Sequence, residues 1–267
     1  MKHLSFLVLA VLLFLLIWGC QEDSGILSTN ENDIPSVESH GRFNNDGPFV
    51  SKDDDSQIMY EFEVTIENLC PVTGEKSSQP FSPPVIATHK SDFHMFRLGR
   101  YASPELESIA EMGNGQPMAE KLMDEKKVFD VVQGTGLILP GQSETFTIKS
   151  RLGAHKISFA AMLGITNDGF TGIDGMNLPR NGSRVYYLKS YDAGTEENTE
   201  SAADLPALGG DGSPTTMEKI HYHPGIKGIA DLDPAIFGWE DPVAKVTIKL
   251  VNKDKKFGRN DDHRHWN

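Results

Sequence analysis

Two stretches near opposite ends of the chain alternate strictly between apolar and polar residues. Tyr60, Phe62, Val64 and Ile66 are interleaved with Glu61, Glu63, Thr65 and Glu67, and Ala244, Val246, Ile248 and Leu250 with Lys245, Thr247 and Lys249. Successive side chains of a strand point to opposite faces, so each stretch predicts a strand with one buried and one solvated face. The first shows Glu where the last shows Lys. Opposite charges facing each other across a strand pair contribute roughly 0.2–1 kcal/mol each, so the two stretches are expected to be neighbours in one antiparallel sheet. Residues 145–149, 157–163 and 185–190 also read as strands, and 128–132 does so with a less regular pattern.

One helical segment interrupts the strands. Ser103 is a cap, Pro104 occupies the first helical position and Glu105 sits in the first turn; Leu106, Ile109 and Ala110 form a narrow apolar stripe that Gly113 closes. Residues 117–124, with Met118 and Leu122 four apart, predict a second short helix. Many strands, little helix and turns such as Leu139-Pro140-Gly141-Gln142 define an all-β fold class, an antiparallel β-sandwich with one or two short helices over residues 57–253.

The flanks read differently. Residues 6–18 are thirteen uninterrupted apolar residues behind Lys2 and His3, the core of an export signal and too short to span a bilayer. The run ends in Ile17-Trp18-Gly19-Cys20, which resembles the lipobox of bacterial lipoproteins. The resemblance implies a signal peptide over 1–19, a lipidated Cys20 and a place on the bacterial cell envelope, at the outer membrane or cell surface. Residues 20–56 hold nine acids against two basic residues with no periodicity, the composition of a flexible tether, and residues 254–267 read as a polar tail. With Cys20 acylated, Cys70 has no disulfide partner and is expected to be a small buried hydrophobe.

A formal charge of -13 argues against nucleic acid as a partner, because an acidic surface repels the phosphate backbone. Motifs for common catalysis are missing from the sequence: no His-Glu-x-x-His pair, no Gly-x-Ser-x-Gly elbow, no phosphate-cradling loop and no dinucleotide fingerprint. What stands out is carboxylates in turns after apolar strands. The stretch 157–163 runs into Thr166-Asn167-Asp168-Gly169, and 185–190 into Tyr191-Asp192-Ala193-Gly194-Thr195-Glu196. Three carboxylates with backbone carbonyls suit a hard cation, Ca²⁺ rather than Zn²⁺. The same short polar residues also occur in turns simply because turns tolerate them.

These residues carry a family resemblance. Ile157-Ser-Phe-Ala-Ala-Met-Leu-Gly-Ile-Thr-Asn-Asp-Gly-Phe170 and Tyr191-Asp-Ala-Gly-Thr-Glu196 resemble the spondin domain of the matrix proteins F-spondin and mindin, especially its bacterial versions. The likeness extends over about residues 58–252, through Phe81-Ser-Pro-Pro84, the stretch 96–105 and His223-Pro-Gly-Ile-Lys-Gly228. It implies a sandwich similar to calcium-dependent membrane-targeting domains, with Ca²⁺ held by Asp168, Asp192 and Glu196. The animal proteins carry Asp where Glu196 stands, and Asp174 and Glu197 are the candidate replacements for it as a ligand.

His221 and His223 flank Tyr222, so on an extended segment both imidazoles face one side, a geometry suited to a transition metal; His263 and His265 in the tail add further donors. The expectation is a lipid-anchored, non-catalytic binding or adhesion module, attached to the membrane, with a calcium-stabilised loop end and a protein or glycan ligand. The alternative is an envelope metalloenzyme using His221, His223 and nearby carboxylates.

Overall fold

The alternation at the two ends of the chain becomes one strand pair. The structure is a computed structural model that describes residues 58–73 and 76–255. The expected signal peptide, Cys20, the expected tether to residue 56 and residues 256–267 lie outside the described residues. Strand β1 (Ile58–Asn68) pairs antiparallel with the last strand, β12 (Ala244–Lys255), which continues two residues past the expected boundary at 253. Glu67 faces Lys245 and Glu63 faces Lys249, with Nζ–Oε2 distances of 2.9 and 3.7 Å. The expected neighbours and their charge complementarity are therefore both present.

Between them lie β2 (Val72–Thr73) and β3 (Lys76–Ser77), β4 (Val85–His89), α1 (Pro104–Met112), α2 (Gln116–Asp124), β5 (Val128–Gln133), β6 (Ser143–Arg151), β7 (Lys156–Met162), β8 (Gly169–Asn177), β9 (Ser183–Leu188), β10 (Ser190–Asp192), β11 (His221–Tyr222) and a single turn, α3 (Pro234–Phe237). One sheet has the order β6-β1-β12-β9 and the other β11-β10-β8-β7-β4-β5, with β2 and β3 forming a small separate hairpin. The strand pairs are antiparallel, and the architecture is the expected all-β sandwich.

The two sheets differ in how many faces they bury. Phe62, Val64, Ile66, Phe146, Ile148, Val246 and Ile248 of the four-stranded sheet enter the core between the sheets, while the glutamates and lysines of the same strands stay in water. Ile86, Ile157, Phe159 and Ala161 meet them from the six-stranded sheet. That sheet buries its other face too: Val85, Ala87, Ala160 and Phe170 pack under Leu106, Ile109 and Ala110 of α1 and Met118, Ala119 and Leu122 of α2. Helix α1 forms as the sequence predicts, with the Leu106 amide donating to Ser103 Oγ (3.4 Å) and Gly113 closing it at φ 64°.

One expectation is corrected here. Residues 185–190 do not form a single strand: β9 pairs with β12 in the four-stranded sheet, and β10 pairs with β8 in the other, so the chain changes sheets at Lys189. Asp241 anchors the crossing by accepting the Ser190 amide (2.9 Å) and hydroxyl (3.1 Å). The change of sheet carries Tyr191 and Asp192 away from the four-stranded sheet and sets them beside Phe170 and Gly169. Strand β8, with three glycines, is legible only in three dimensions. A Cβ on Gly172 would lie 2.2 Å from the Phe159 carbonyl oxygen, so the close approach of β7 and β8 requires glycine there. Cys70 is buried and unpaired as expected, its thiol pushed up to about 12 by burial and the nearby charge of Asp241.

Candidate functional site

The β7–β8 connection is built around Thr166. Its hydroxyl donates to the Leu163 carbonyl (2.6 Å) and accepts the Gly169 amide (2.9 Å), which turns the chain back and leaves Asn167 and Asp168 buried at the tip. Asp192 ends β10 opposite Gly169, and the Ala193 amide donates to the Asp168 carbonyl (3.1 Å). The loop then turns at Gly194, whose φ is 72° and where a Cβ would meet the Glu218 carbonyl at 2.7 Å. Two constraints thus specify glycine, a left-handed backbone and a neighbouring chain too near for a side chain.

This folding brings Asp168 against the backbone of the second loop. Asp168 Oδ2 accepts from the Thr195 amide (2.7 Å), the Glu196 amide (3.1 Å) and the Thr195 hydroxyl (3.3 Å), whereas its Oδ1 is buried without a partner. Burial and the neighbouring charge of Asp192 push the Asp168 carboxyl up to about 6, against the opposing effect of those three hydrogen bonds. Glu196 repeats the pattern: Oε1 accepts the Ser213 amide (3.0 Å) and Oε2 is buried without a partner. Its carboxyl is pushed up to about 7 by burial, then by the charges of Glu111, Asp168 and Asp204.

Asp192 is buried but satisfied, with Oδ1 accepting the Gly194 amide (2.8 Å) and Oδ2 the Asn198 side-chain amide (2.6 Å). The three expected acids therefore form one electrostatically coupled cluster, in which two oxygens are free and the third carboxylate is held by its own loop. Among the described residues, no three His, Cys, Asp or Glu side chains converge as a closed metal-ligand set. The donor chemistry nevertheless fits a hard cation, since the unpartnered atoms are carboxylate oxygens.

The two other acids named from the sequence stand elsewhere. Asp174 on β8 is occupied by His94 Nδ1 (2.5 Å), the Met95 amide (2.8 Å) and the Ser158 hydroxyl (3.3 Å). Glu197 is exposed, the opposite of its buried-side neighbour Glu196. Sequence reasoning missed Glu111, whose charge acts on Glu196 and whose own carboxyl is raised by burial against a hydrogen bond with Thr195. A signal was available: Glu111 sits in the last turn of α1, where the helix dipole disfavours an anion. A second missed residue is Glu200, buried at φ 55°, whose carboxylate accepts the Lys227 amide (2.6 Å) and the Ile229 amide (2.9 Å) and so ties the loop after β10 to the loop at residues 227–229.

The two histidines both lie near Asp192 but differ in burial. His221 is exposed, with Nδ1 3.7 Å from Asp192 Oδ1, while His223 is buried against Trp239 with ring centroids 5.0 Å apart. His223 Nδ1 accepts the Gly225 amide (3.0 Å), so the neutral ring carries its proton on Nε2, which is buried without a partner. A metal-bound histidine instead donates through its second nitrogen, so the hydrogen bond at Nδ1 runs the wrong way for ligation through Nε2. Burial pushes the imidazole down to about 4, although Asp192 acts in the opposite direction.

Fold and site together define an all-β sandwich module with a carboxylate-lined loop end. A family model described as Spondin_N matches residues 71–208, more than half of the chain, and the chain belongs to the spondin-domain family. Modules of this family are generally non-catalytic and of an extracellular, adhesion type. The matched segment holds Glu111, Asp168, Asp192 and Glu196, whereas β1, the histidine pair and β12 lie outside it. No curated protein matches the chain.

Proposed function

We propose that this spondin-domain chain is a lipid-anchored, non-catalytic binding module of the bacterial cell envelope, whose acidic loop end is ordered by Ca²⁺. The observation that carries the calcium reading is the pair of buried, unpartnered oxygens, Asp168 Oδ1 and Glu196 Oε2, in a cluster where the charge of Asp192 raises the proton affinity of Asp168 and the charge of Asp168 raises that of Glu196. A buried acceptor without a partner costs about 1–3 kcal/mol, and a cation held between the two would satisfy both. Asp192 would join them by exchanging its Asn198 contact for the ion. Calcium would supply charge compensation there. The protein's own residues do the rest: Thr195 and the backbone amides of 195 and 196 orient Asp168, and Ser213 orients Glu196.

The anchor rests on the apolar run that ends at Cys20, and the ligand class, a protein or glycan on the envelope, follows from the adhesion character of the family. A binding module needs a preformed surface, and the helix-backed six-stranded sheet supports such a surface at its ends. The test is thermal unfolding of metal-stripped protein with calcium and with chelator. An ion that binds only the native state contributes roughly 2.7 kcal/mol at a hundredfold excess over Kd, which for a domain of this size is a shift of several degrees. Identical melts would overturn the calcium reading. Labelled palmitate tests the anchor: incorporation in a bacterial host is expected, and labelling that survives Cys20→Ala would overturn it.

A further inference from the structure

The end of the sandwich opposite the carboxylates carries a pocket of contrary charge. Antiparallel pairing sets Lys156 at the start of β7 beside His89 at the end of β4, and His89 faces Val128 at the start of β5. The segments that extend these strands meet in a recess of about 220 Å³ lined by Lys90, Lys126, Lys127 and Arg151, with Phe129 and Leu152 among its apolar walls and no carboxylate in its lining. The Arg151 guanidinium lies 4.9 Å from the centre of the Phe129 ring, which holds its planar face against an apolar support.

Three acids of the segments that flank this recess are already engaged. Asp92 pairs with Lys127 (3.1 Å), Asp130 accepts the Val131 (3.0 Å) and Lys149 (2.7 Å) amides, and Glu125 accepts the Lys127 amide (3.1 Å). Among the described residues, no carboxylate forms an ion pair with Lys90, Lys126 or Arg151. The positive field extends beyond the lining, because Lys156 and Arg180 add to burial in lowering the affinity of His155 for protons.

We propose that this recess is a second binding site, which takes a carboxylate or sulfate group carried on a sugar ring of an acidic glycan. The cations that line the recess, Lys90, Lys126 and the Arg151 fork among them, match a planar or tetrahedral oxyanion, and Phe129 and Leu152 beside them match the apolar faces of a sugar ring. A bilayer or a long, dense polyanion meets a chain whose net charge is -13, whereas a compact group that enters the recess feels mainly the local cations, since charges beyond about 8 Å are screened at physiological salt. The proposal names the ligand of the binding-module reading but is independent of calcium.

The test is calorimetric titration of the full chain in detergent, at low and high salt and in calcium or chelator. The probes are trigalacturonate, a sulfated uronate disaccharide, the methyl ester of trigalacturonate, sodium acetate, sodium sulfate and phosphatidylglycerol vesicles. At least one acidic saccharide is expected to bind, more weakly at high salt, equally in calcium and chelator, and about tenfold more weakly after Arg151→Ala, the loss of one charge-assisted contact. Lys126→Glu, an exposed change that leaves the packing of Phe129 intact, is expected to weaken binding as well, and Arg151→Lys to retain part of it. Failure of both acidic saccharides to bind, with the calcium-dependent melt intact, overturns this site and leaves the module reading standing. Equal binding of the methyl ester, of acetate or sulfate alone, or of the vesicles in place of the saccharides overturns the glycan assignment, as does affinity unchanged in both Arg151→Ala and Lys126→Glu.

Discussion

The two ends of the six-stranded sheet carry opposite charge under opposite conditions of burial. At the β7–β8 and β10 loops, Asp168 and Glu196 each hold a buried carboxylate oxygen with no protein partner. At the β4, β5 and β6–β7 end, Lys90, Lys126 and Arg151 are exposed, and water solvates their charges. The difference teaches that clustering of like charge is not by itself a signature of strain. Exposed cations repel one another weakly through water and sacrifice little stability, whereas buried carboxylates lose hydration and feel each other at low dielectric. Ligand binding should accordingly be coupled to folding at the acidic end and leave the fold nearly unchanged at the basic end.

The largest expected effect separates satisfied from unsatisfied carboxylates within the acidic end itself. Glu200→Ala leaves the Lys227 and Ile229 amides without their acceptor, and at roughly 1.5–3 kcal/mol for a hydrogen bond to a charged group the loss should be about 3 kcal/mol, measured by chemical denaturation. A loss below about 1 kcal/mol would mean that Glu200 does not hold the loop after β10 to the loop at residues 227–229.

Asp168→Asn should do the reverse in chelator. The folded-state carboxyl at about 6 lies above its ordinary 3.8, so the native state holds its proton over that window, and stability falls as pH rises through it and is not regained above. Glu196, raised to about 7 from 4.5, extends the fall in the same direction. The metal-stripped protein should therefore melt at lower temperature at pH 7.5 than at pH 5, and calcium should flatten that slope. Asp168→Asn should raise the calcium-free melt at pH 7.5 by about 1–2 kcal/mol and remove most of the calcium-dependent shift. A pH-independent melt of the stripped protein would remove the contrast between the two ends.

The smallest effects belong to charges in water. Lys126→Ala should change stability by no more than about 0.5 kcal/mol, and a double-mutant cycle on Glu67 and Lys245 should return about 0.2–1 kcal/mol, shrinking as salt is added. A coupling energy several times larger would show that partial burial counts for more on this sheet than its exposure suggests.

Legibility of the sequence tracked the number of faces each strand buries. Strands β1 and β12 bury one face, so apolar and charged residues alternate and both the strands and their pairing were readable from Glu67 and Lys245. Strand β4 buries both faces, so Val85, Ile86 and Ala87 leave no alternation to read; β8 carries Gly169, Gly172 and Gly175, which removes the usual marks of a strand. Helix α1 was readable because its cap, first-turn proline, apolar stripe and closing glycine are all local.

The sequence by itself determined the strand-rich class, the first helix, the partnership of the first and last strands and the identity of Asp168, Asp192 and Glu196 as a group of acids in turns. These properties depend on side-chain period, local hydrogen bonding and residue type, all of which act over a few positions or through simple charge matching. Only the tertiary structure decided that the chain changes sheets at Lys189, that Glu196 is turned inward and Glu197 outward, that Glu111 reaches the cluster from a helix, and that the Gly225 amide donates to His223 Nδ1. Each of these depends on which distant backbone comes to lie beside which side chain, and the free energy of burying a charge is set by that neighbourhood rather than by the residue itself.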